Sequence, residues 1–154
     1  MVKGKWFPQG ADIAAPLSLR KSVFARERDA LDDIAQQVVV YREDTPVGAA
    51  RLWWEAGAFH LGDVGVLTDC RGKGYGDLLV RLALFKALTH NASIIRLTTP
   101  ENAFHFFSRY GFVPEHSLQG GETHIEMLLR AEDASLGSCG SADGCSGCGG
   151  CANR

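Results

Sequence analysis

Apolar positions along the first 130 residues change period several times, and each change predicts an element. From residue 12 to about 30, Ile13, Leu17, Leu19, Val23 and Phe24 recur at loosely helical spacing among charged positions, which predicts one helix or two short ones. Residues 37–41 are β-branched and short, Glu43-Asp44-Thr45-Pro46 supplies turn chemistry, and residues 47–54 resume an apolar stretch, together predicting a hairpin. Ala56-Gly57 marks a second turn, and residues 59–67 read as a third strand that stops at Thr68-Asp69. Three antiparallel strands in succession are the expectation.

Residues 77–89 have a different character. Leu78, Leu79, Leu82, Ala83, Phe85, Ala87 and Leu88 cover most of a helix circumference, so this helix is expected to be largely buried. Residues 93–98 predict a short strand. Pro100 suits a first helical turn, Ala103, Phe106, Phe107 and Tyr110 keep helical spacing through 101–110, and Gly111 closes that helix. Residues 112–113 and 123–130 predict two last strands, joined across the turn-rich Leu118-Gln119-Gly120-Gly121. There is no internal repeat, and the fold class read from this order is mixed α+β.

Composition narrows the picture. A chain of 154 residues, 45% apolar and 22% charged, suits one globular domain with one core. A net charge of −2 supplies no global basic field, so nucleic acid is not an expected partner. No 18 apolar residues stand together, and the N-terminal stretch from Met1 to Pro8 holds no apolar run of signal-peptide length, so no membrane association and a cytoplasmic location are expected. After Arg130 the composition shifts: residues 135–154 are built mainly from Gly, Ser, Ala and Cys, with Leu136 the one large apolar side chain. The expected layout is a domain over 1–130 and a tail over 131–154.

Chemistry concentrates first at Arg71-Gly72-Lys73-Gly74-Tyr75-Gly76, between a predicted strand and a predicted helix. A glycine-rich turn at that place exposes main-chain N–H groups, adds the positive end of a helix dipole and lets an anion approach where a Cβ would obstruct it. Arg71 and Lys73 bring two cationic side chains to the same turn, which suits a pyrophosphate better than one carboxylate. A merely flexible loop is the plain alternative. The spacing is neither that of a Walker loop nor that of a dinucleotide fingerprint within a βαβ unit.

Taken with its neighbours, the stretch from Val64 to Gly76 resembles the signature of the GNAT superfamily of N-acetyltransferases, Arg/Gln-x-x-Gly-x-Gly/Ala after a strand, with Arg71, Gly74 and Gly76 on the pattern. The likeness extends from about residue 37 to 127. Arg20-Lys21-Ser22-Val23-Phe24-Ala25-Arg26-Glu27, the segment from Val47 to Leu52, and His124-Ile125-Glu126-Met127 are similar to a bacterial branch acting on small molecules. The resemblance implies a twisted, mixed, mostly antiparallel sheet flanked by helices, and acetyl-CoA as co-substrate. It implies that the main chain of Val64 and Val66 pairs with the pantetheine arm and the thioester carbonyl. The N–H groups from Arg71 to Gly76, through Gly72, Lys73, Gly74 and Tyr75, would cradle the pyrophosphate, with Asp77 opening the helix behind. It also brings direct transfer to an amine, of a small molecule or amino acid or else of a protein N-terminus or lysine, and a homodimer as a common assembly of such proteins.

Direct transfer needs a base for the ammonium and often an acid for the departing thiolate. The family usually supplies the acid as a tyrosine four residues before the glycine of Gly-Phe; here that place is Phe107, which has no proton to give. Tyr110, Ser108 and His105 are near in sequence but turned by helical rotation, and coenzyme A thiolate leaves well enough for solvent to protonate it. His124, Glu27 and Asp63 are the base candidates in that order, His124 because an imidazole pKa of roughly 6.5 suits proton exchange at neutral pH. Each also reads as an ordinary surface or turn residue. Trp53, Trp54, Phe24 and Phe59 either enclose an acceptor or belong to the core, and Asp32, Asp33, Glu43 and Asp44 either attract a cationic amine or are simply solvated.

Five cysteines remain. Cys139, Cys145, Cys148 and Cys151 are spaced closely enough to hold one zinc ion or an iron–sulfur cluster, or to form a redox-sensitive tail. Cys70 is either a thiol activated by its cationic neighbours or a neutral spacer. Phe107 and the cysteine tail together motivate a rival reading, a catalytically silent module that binds acyl-CoA or senses a metal or redox change.

Overall fold

The computed structural model describes residues 1–116 and 123–136. In chain order its elements are strand β1 (Val2–Phe7), helix α1 (Ala14–Phe24), strands β2 (Gln36–Arg42), β3 (Thr45–Glu55) and β4 (Ala58–Val66), helix α2 (Tyr75–Thr89), strand β5 (Ile94–Pro100), helix α3 (Phe104–Ser108), and strands β6 (Val113–Pro114) and β7 (His124–Arg130). The seven strands form one sheet in the order β1-β2-β3-β4-β5-β7-β6. Every neighbouring pair is antiparallel except β4 with β5. This is the mixed, mostly antiparallel sheet expected of the resemblance.

Alternation along the strands divides the sheet into two faces. On β7, Ile125, Met127 and Leu129 are buried while His124, Glu126 and Arg130 are exposed. The buried set joins Ile95 and Leu97 of β5, Leu61 of β4, Leu52 of β3 and Val38 and Val40 of β2 in a core closed by Leu79, Val80, Ala83, Leu84 and Ala87 of α2. As its apolar circumference predicts, α2 exposes little beyond Phe85 and Thr89. On the opposite face, α1 lays Leu19 against Val39 and Ala49. The helix covers only that side of the sheet, and the same face of β5 and β7 presents Arg96, Thr98, His124 and Glu126 to a cavity.

Three elements depart from expectation. β1 was not predicted: its residues are exposed or half-buried, so no alternation marks it, and ladder hydrogen bonds to β2 hold it as an edge strand guarded by Lys3 and Lys5. Of the one helix or two short ones predicted from residue 12 to about 30, one α-helix forms and stops at Phe24, because Ala25 turns into the left-handed region at φ +54° with its N–H on the Lys21 carbonyl, 2.9 Å. An alanine carries no local signal for such a stop. The helix predicted over 101–110 is a 3₁₀ turn, Glu101–Ala103, followed by the single α-turn of α3.

Beyond β7 the chain stays against the core, with Ala134 and Leu136 packed on it and the Ser135 N–H donating to the Tyr110 carbonyl at 2.9 Å. Cys139, Cys145, Cys148 and Cys151, and the turn expected at 118–121, lie outside the described residues. Among the described residues no helix is long and apolar enough to cross a membrane.

Candidate active site

The sheet opens where its one parallel pair separates. β4 and β5 pair only from Phe59 to Leu61, opposite Ile95 to Leu97. Past that point β5 follows β7 as far as Pro100 opposite His124, while β4 keeps only its β3 neighbour. Among the described residues, one main-chain edge of residues 62–66 therefore has no strand partner and faces a notch.

The cause is a bulge. Arg51 pairs with Gly62 and Ala49 with Gly65, which leaves one extra residue on β4 between them. Asp63 sits there at φ +49°, a conformation costly for a non-glycine residue and kept only when its surroundings insist on it. Here three guanidiniums do so: Arg26 Nη1 at 2.7 Å, Arg51 Nη2 at 3.1 Å and Arg20 Nε at 3.5 Å from the Asp63 carboxylate. Gly65 allows the approach of α1, since a Cβ there would stand 2.8 Å from Phe24 and 2.9 Å from Val23.

The notch widens into a cavity of about 1050 Å³, large for a small-molecule site. One wall is the glycine turn, the first turn of α2, and Phe106 and Phe107. Gly74 precedes α2 in the left-handed region, φ +84°, and no side chain among the described residues caps the helix, so its first N–H groups are left for an anion. Asp77, the one acidic residue of that turn, is engaged by the Tyr110 hydroxyl and by Arg81 Nε at 2.8 Å. Arg71, Gly72, Gly74, Tyr75, Gly76 and Asp77 line the cavity with Val64 and Val66, whereas Lys73 is exposed outside the lining. Arg71 reaches back, donating from Nε to the Val66 carbonyl at 3.1 Å.

The opposite wall rests on a buried ionic network. Arg20 donates to both oxygens of Asp32, 2.8 and 2.7 Å, and Gln37 Nε2 and the Asp29 N–H complete the shell of that carboxylate at 2.9 Å each. Arg51 grips Asp29 with Nη1 at 2.7 Å and Nη2 at 3.0 Å. Burial pushes the Asp32 carboxyl upward, but the Arg20 hydrogen bonds, the Asp29 N–H and the charges of Arg20 and Arg51 outweigh it and hold the group well below the usual carboxylate range. The Arg51 hydrogen bonds depress Asp29 in the same direction.

Carboxyls depressed in the folded state take up protons more readily once unfolded, so their stabilisation is full above the ordinary carboxylate pKa of about 3.9 and is lost as pH falls below it. The denaturant midpoint is accordingly expected to be level above about pH 5 and to fall steadily from about pH 4 downward. A midpoint unchanged between pH 6 and 3 would refute this account.

Of the base candidates, His124 and Asp63 are both brought to the cavity, His124 exposed at the start of β7 and Asp63 at the bulge. Glu27 is not; it is exposed and stands 3.3 Å from Lys21. Phe107 lines the cavity and is buried, while the Tyr110 hydroxyl is turned to Asp77 and Ser108 Oγ donates to the Phe104 carbonyl at 2.9 Å. Cys70 is buried on the lining.

The aromatic candidates divide: Phe24 and Trp53 line the cavity, Phe59 is core and Trp54 is exposed elsewhere. The acidic loop residues are spoken for, Asp32 wholly buried, Asp33 with Arg28 at 2.9 Å, Glu43 with the N-terminus and Asp44 with Lys3 at 2.8 Å. Sequence reasoning passed over Arg51, Arg96, Arg109 and Glu115, all on the lining. A single charge inside the apolar run from Val47 to Trp54 was the available signal for Arg51.

The profile of the Acetyltransferase (GNAT) domain matches residues 33–114. The Uncharacterized N-acetyltransferase YjcF of Bacillus subtilis (strain 168) is 26% identical over 121 residues, 71% of this chain and 86% of that protein. An acyl-CoA N-acyltransferase from Pseudomonas aeruginosa shares the fold at a TM-score of 0.73 and 24% identity, over 84% of this chain and 99% of that one. A GNAT family acetyltransferase from Elizabethkingia anophelis, with acetyl-CoA bound, does so at 0.68 and 13%, over 84% and 97%. With the profile running from the foot of β2 through the splayed pair and the glycine turn to β6, the chain belongs to the GNAT acetyltransferase family and is an acyl-CoA-dependent N-acetyltransferase.

Proposed function

We propose that this protein transfers an acetyl group from acetyl-CoA directly to the primary amine of a small molecule. The observation that carries the reading is the splay of β4 from β5: an unpaired main-chain edge meets an uncapped helix N-terminus in one cavity, and beyond them lies a polar floor. The N–H groups of the glycine turn and of α2 would hold the pyrophosphate, where a positive helix end favours negative charge. The free edge of Val64 and Val66 would align the pantetheine arm and donate to the oxygen that gains charge as the amine attacks.

In that reaction the amine nitrogen bonds to the thioester carbon, the carbon–sulfur bond breaks, and the amine loses a proton. His124 is the preferred acceptor of that proton, being exposed to solvent on the floor of the cavity, with Asp63 the second candidate. Phe107 gives the departing thiolate only an apolar neighbour, so its proton comes from water. A small acceptor is favoured because α1 and the network behind it close one side of the notch.

Two measurements test the reading. Acetyl-CoA should raise the melting temperature, by mass action on the folded state, and an amine panel should release free thiol. Turnover confined to peptides would move the acceptor to protein N-termini or lysines. Binding with no turnover on any amine would overturn the enzyme reading in favour of a silent acyl-CoA-binding module.

A further inference from the structure

Beside the bulge two polar atoms are left unsatisfied. Arg51 Nε and Asp63 Oδ2 are buried without a hydrogen-bond partner among the described residues, on side chains only 4% and 10% exposed, and both residues line the cavity. Arg51 Nη2 lies 3.1 Å from Asp63 Oδ2, an ionic contact whose angle does not make a hydrogen bond. Burying a charged donor and a charged acceptor unsatisfied is costly, and a substrate site is where such atoms are kept.

The surrounding charges limit what can satisfy them. Three guanidiniums, of Arg20, Arg26 and Arg51, face three carboxylates, of Asp29, Asp32 and Asp63, so the network is balanced without a ligand. A ligand that is only an anion or only a cation would leave one buried charge uncompensated. A ligand carrying both keeps the balance, and because the two atoms belong to one Arg51–Asp63 contact, its two groups must be neighbours. Next to them Trp53 stacks on His60 at 5.5 Å and 13°, its ring lying so close over Gly62 that a Cβ there would come within 2.8 Å. The Arg51 guanidinium stands 5.3 Å above the same indole. A flat wall thus flanks the polar pair.

We infer that the acceptor is an α-amino acid, its carboxylate accepting from Arg51 Nε and its amino group donating to Asp63 Oδ2. The inference rests on the transfer reading above and adds the substrate class. Asp63 then holds the amine at the residue adjoining Val64, on the strand edge proposed to align the thioester, and Arg51 sets specificity.

The experiment compares matched pairs: each of the twenty standard amino acids, where available, against its decarboxylated amine and its α-amide, with the full chain and acetyl-CoA. At least one amino acid is expected to exceed both partners by about 10- to 100-fold in kcat/KM, the worth of one charged hydrogen bond. In Arg51→Lys, which keeps the charge but has no Nε–H, that ratio is expected to collapse toward one, with the circular dichroism spectrum reporting on the fold. If that variant does not fold, the comparison in the unaltered protein decides alone. Equal rates across every pair would overturn the inference and leave the transfer reading standing. If acetyl-CoA binds but no amine is acetylated, the transfer reading fails instead. Calorimetric titration of the same pairs into the coenzyme A complex then reads the subsite by itself: tighter binding of an amino acid supports it, and equal binding within every pair overturns it.

Discussion

Asp32→Ala is expected to remove about 3–5 kcal/mol of folding stability, the range for breaking a buried ion pair on one side. The carboxylate is fully buried and accepts from Arg20 at 2.8 and 2.7 Å, from Gln37 at 2.9 Å and from the Asp29 N–H at 2.9 Å, with Arg51 Nη1 at 3.4 Å. Alanine would strip the buried Arg20 of its bidentate partner and the Gln37 amide and the Asp29 N–H of their acceptor, leaving Arg20 only the more distant Asp63 and Gln37 Oε1, and would also free the turn that enters β2. A domain of this size has about 5–15 kcal/mol in all, so the loss threatens folding itself. Denaturant midpoints of the two proteins at pH 7 measure it. Asp33→Ala is the control: that side chain is 70% exposed and pairs with Arg28 on the surface, where a change within about 0.5 kcal/mol is expected. Equal midpoints for the two variants would show that the network is not what holds α1 to the sheet.

The second large effect concerns the donor. Gly74→Val should weaken acetyl-CoA binding by about 10- to 100-fold, while the acceptor KM changes little. Space is not the obstacle, because a Cβ at Gly74 meets nothing within 4 Å. Conformation is: φ is +84°, and a β-branched residue at positive φ is a true outlier costing about 1–3 kcal/mol. The turn is expected to relax by rotating its N–H groups away from the start of α2. Titration of acetyl-CoA, followed by heat or by the shift in melting temperature, reads the loss. Wild-type affinity in Gly74→Val would remove the glycine turn from the donor site. The two variants separate cleanly, since Asp32 lies behind the proposed acceptor wall and Gly74 on the proposed donor wall.

Much of this architecture is legible in the sequence itself. The strand pattern from residue 37 to 67, the buried helix after the glycines and the alternation of β7 follow from which side chains need burial, and that need repeats locally with period 2 or 3.6. The glycine turn was legible for a related reason, because left-handed backbone at the head of a helix is a local demand that few residues meet. β1 shows no period-2 pattern, since Trp6 and Phe7 pack on the core in succession at its end while ladder bonds to β2, which do not depend on side-chain identity, run along its whole length. Glu27 is the second base candidate on a helix expected to run to about residue 30, and the left-handed turn at Ala25 ends that helix before it and leaves it beside Lys21.

The proposed donor side and the proposed acceptor side thus differ in origin. The helix proposed to meet the donor, the turn that heads it and the strand before it are consecutive in the chain, so their order and chemistry can be read from residues 59–89 alone. The proposed acceptor side is assembled from residues far apart: Arg51 grips Asp29 across 22 positions and Arg26 grips Asp63 across 37. Charge pairing depends on distance in space, and no local pattern says which carboxylate an arginine will find. Only folding brings the two together, forces Asp63 into its bulge, parts β4 from β5, and leaves Arg51 Nε and Asp63 Oδ2 unsatisfied beside the cavity.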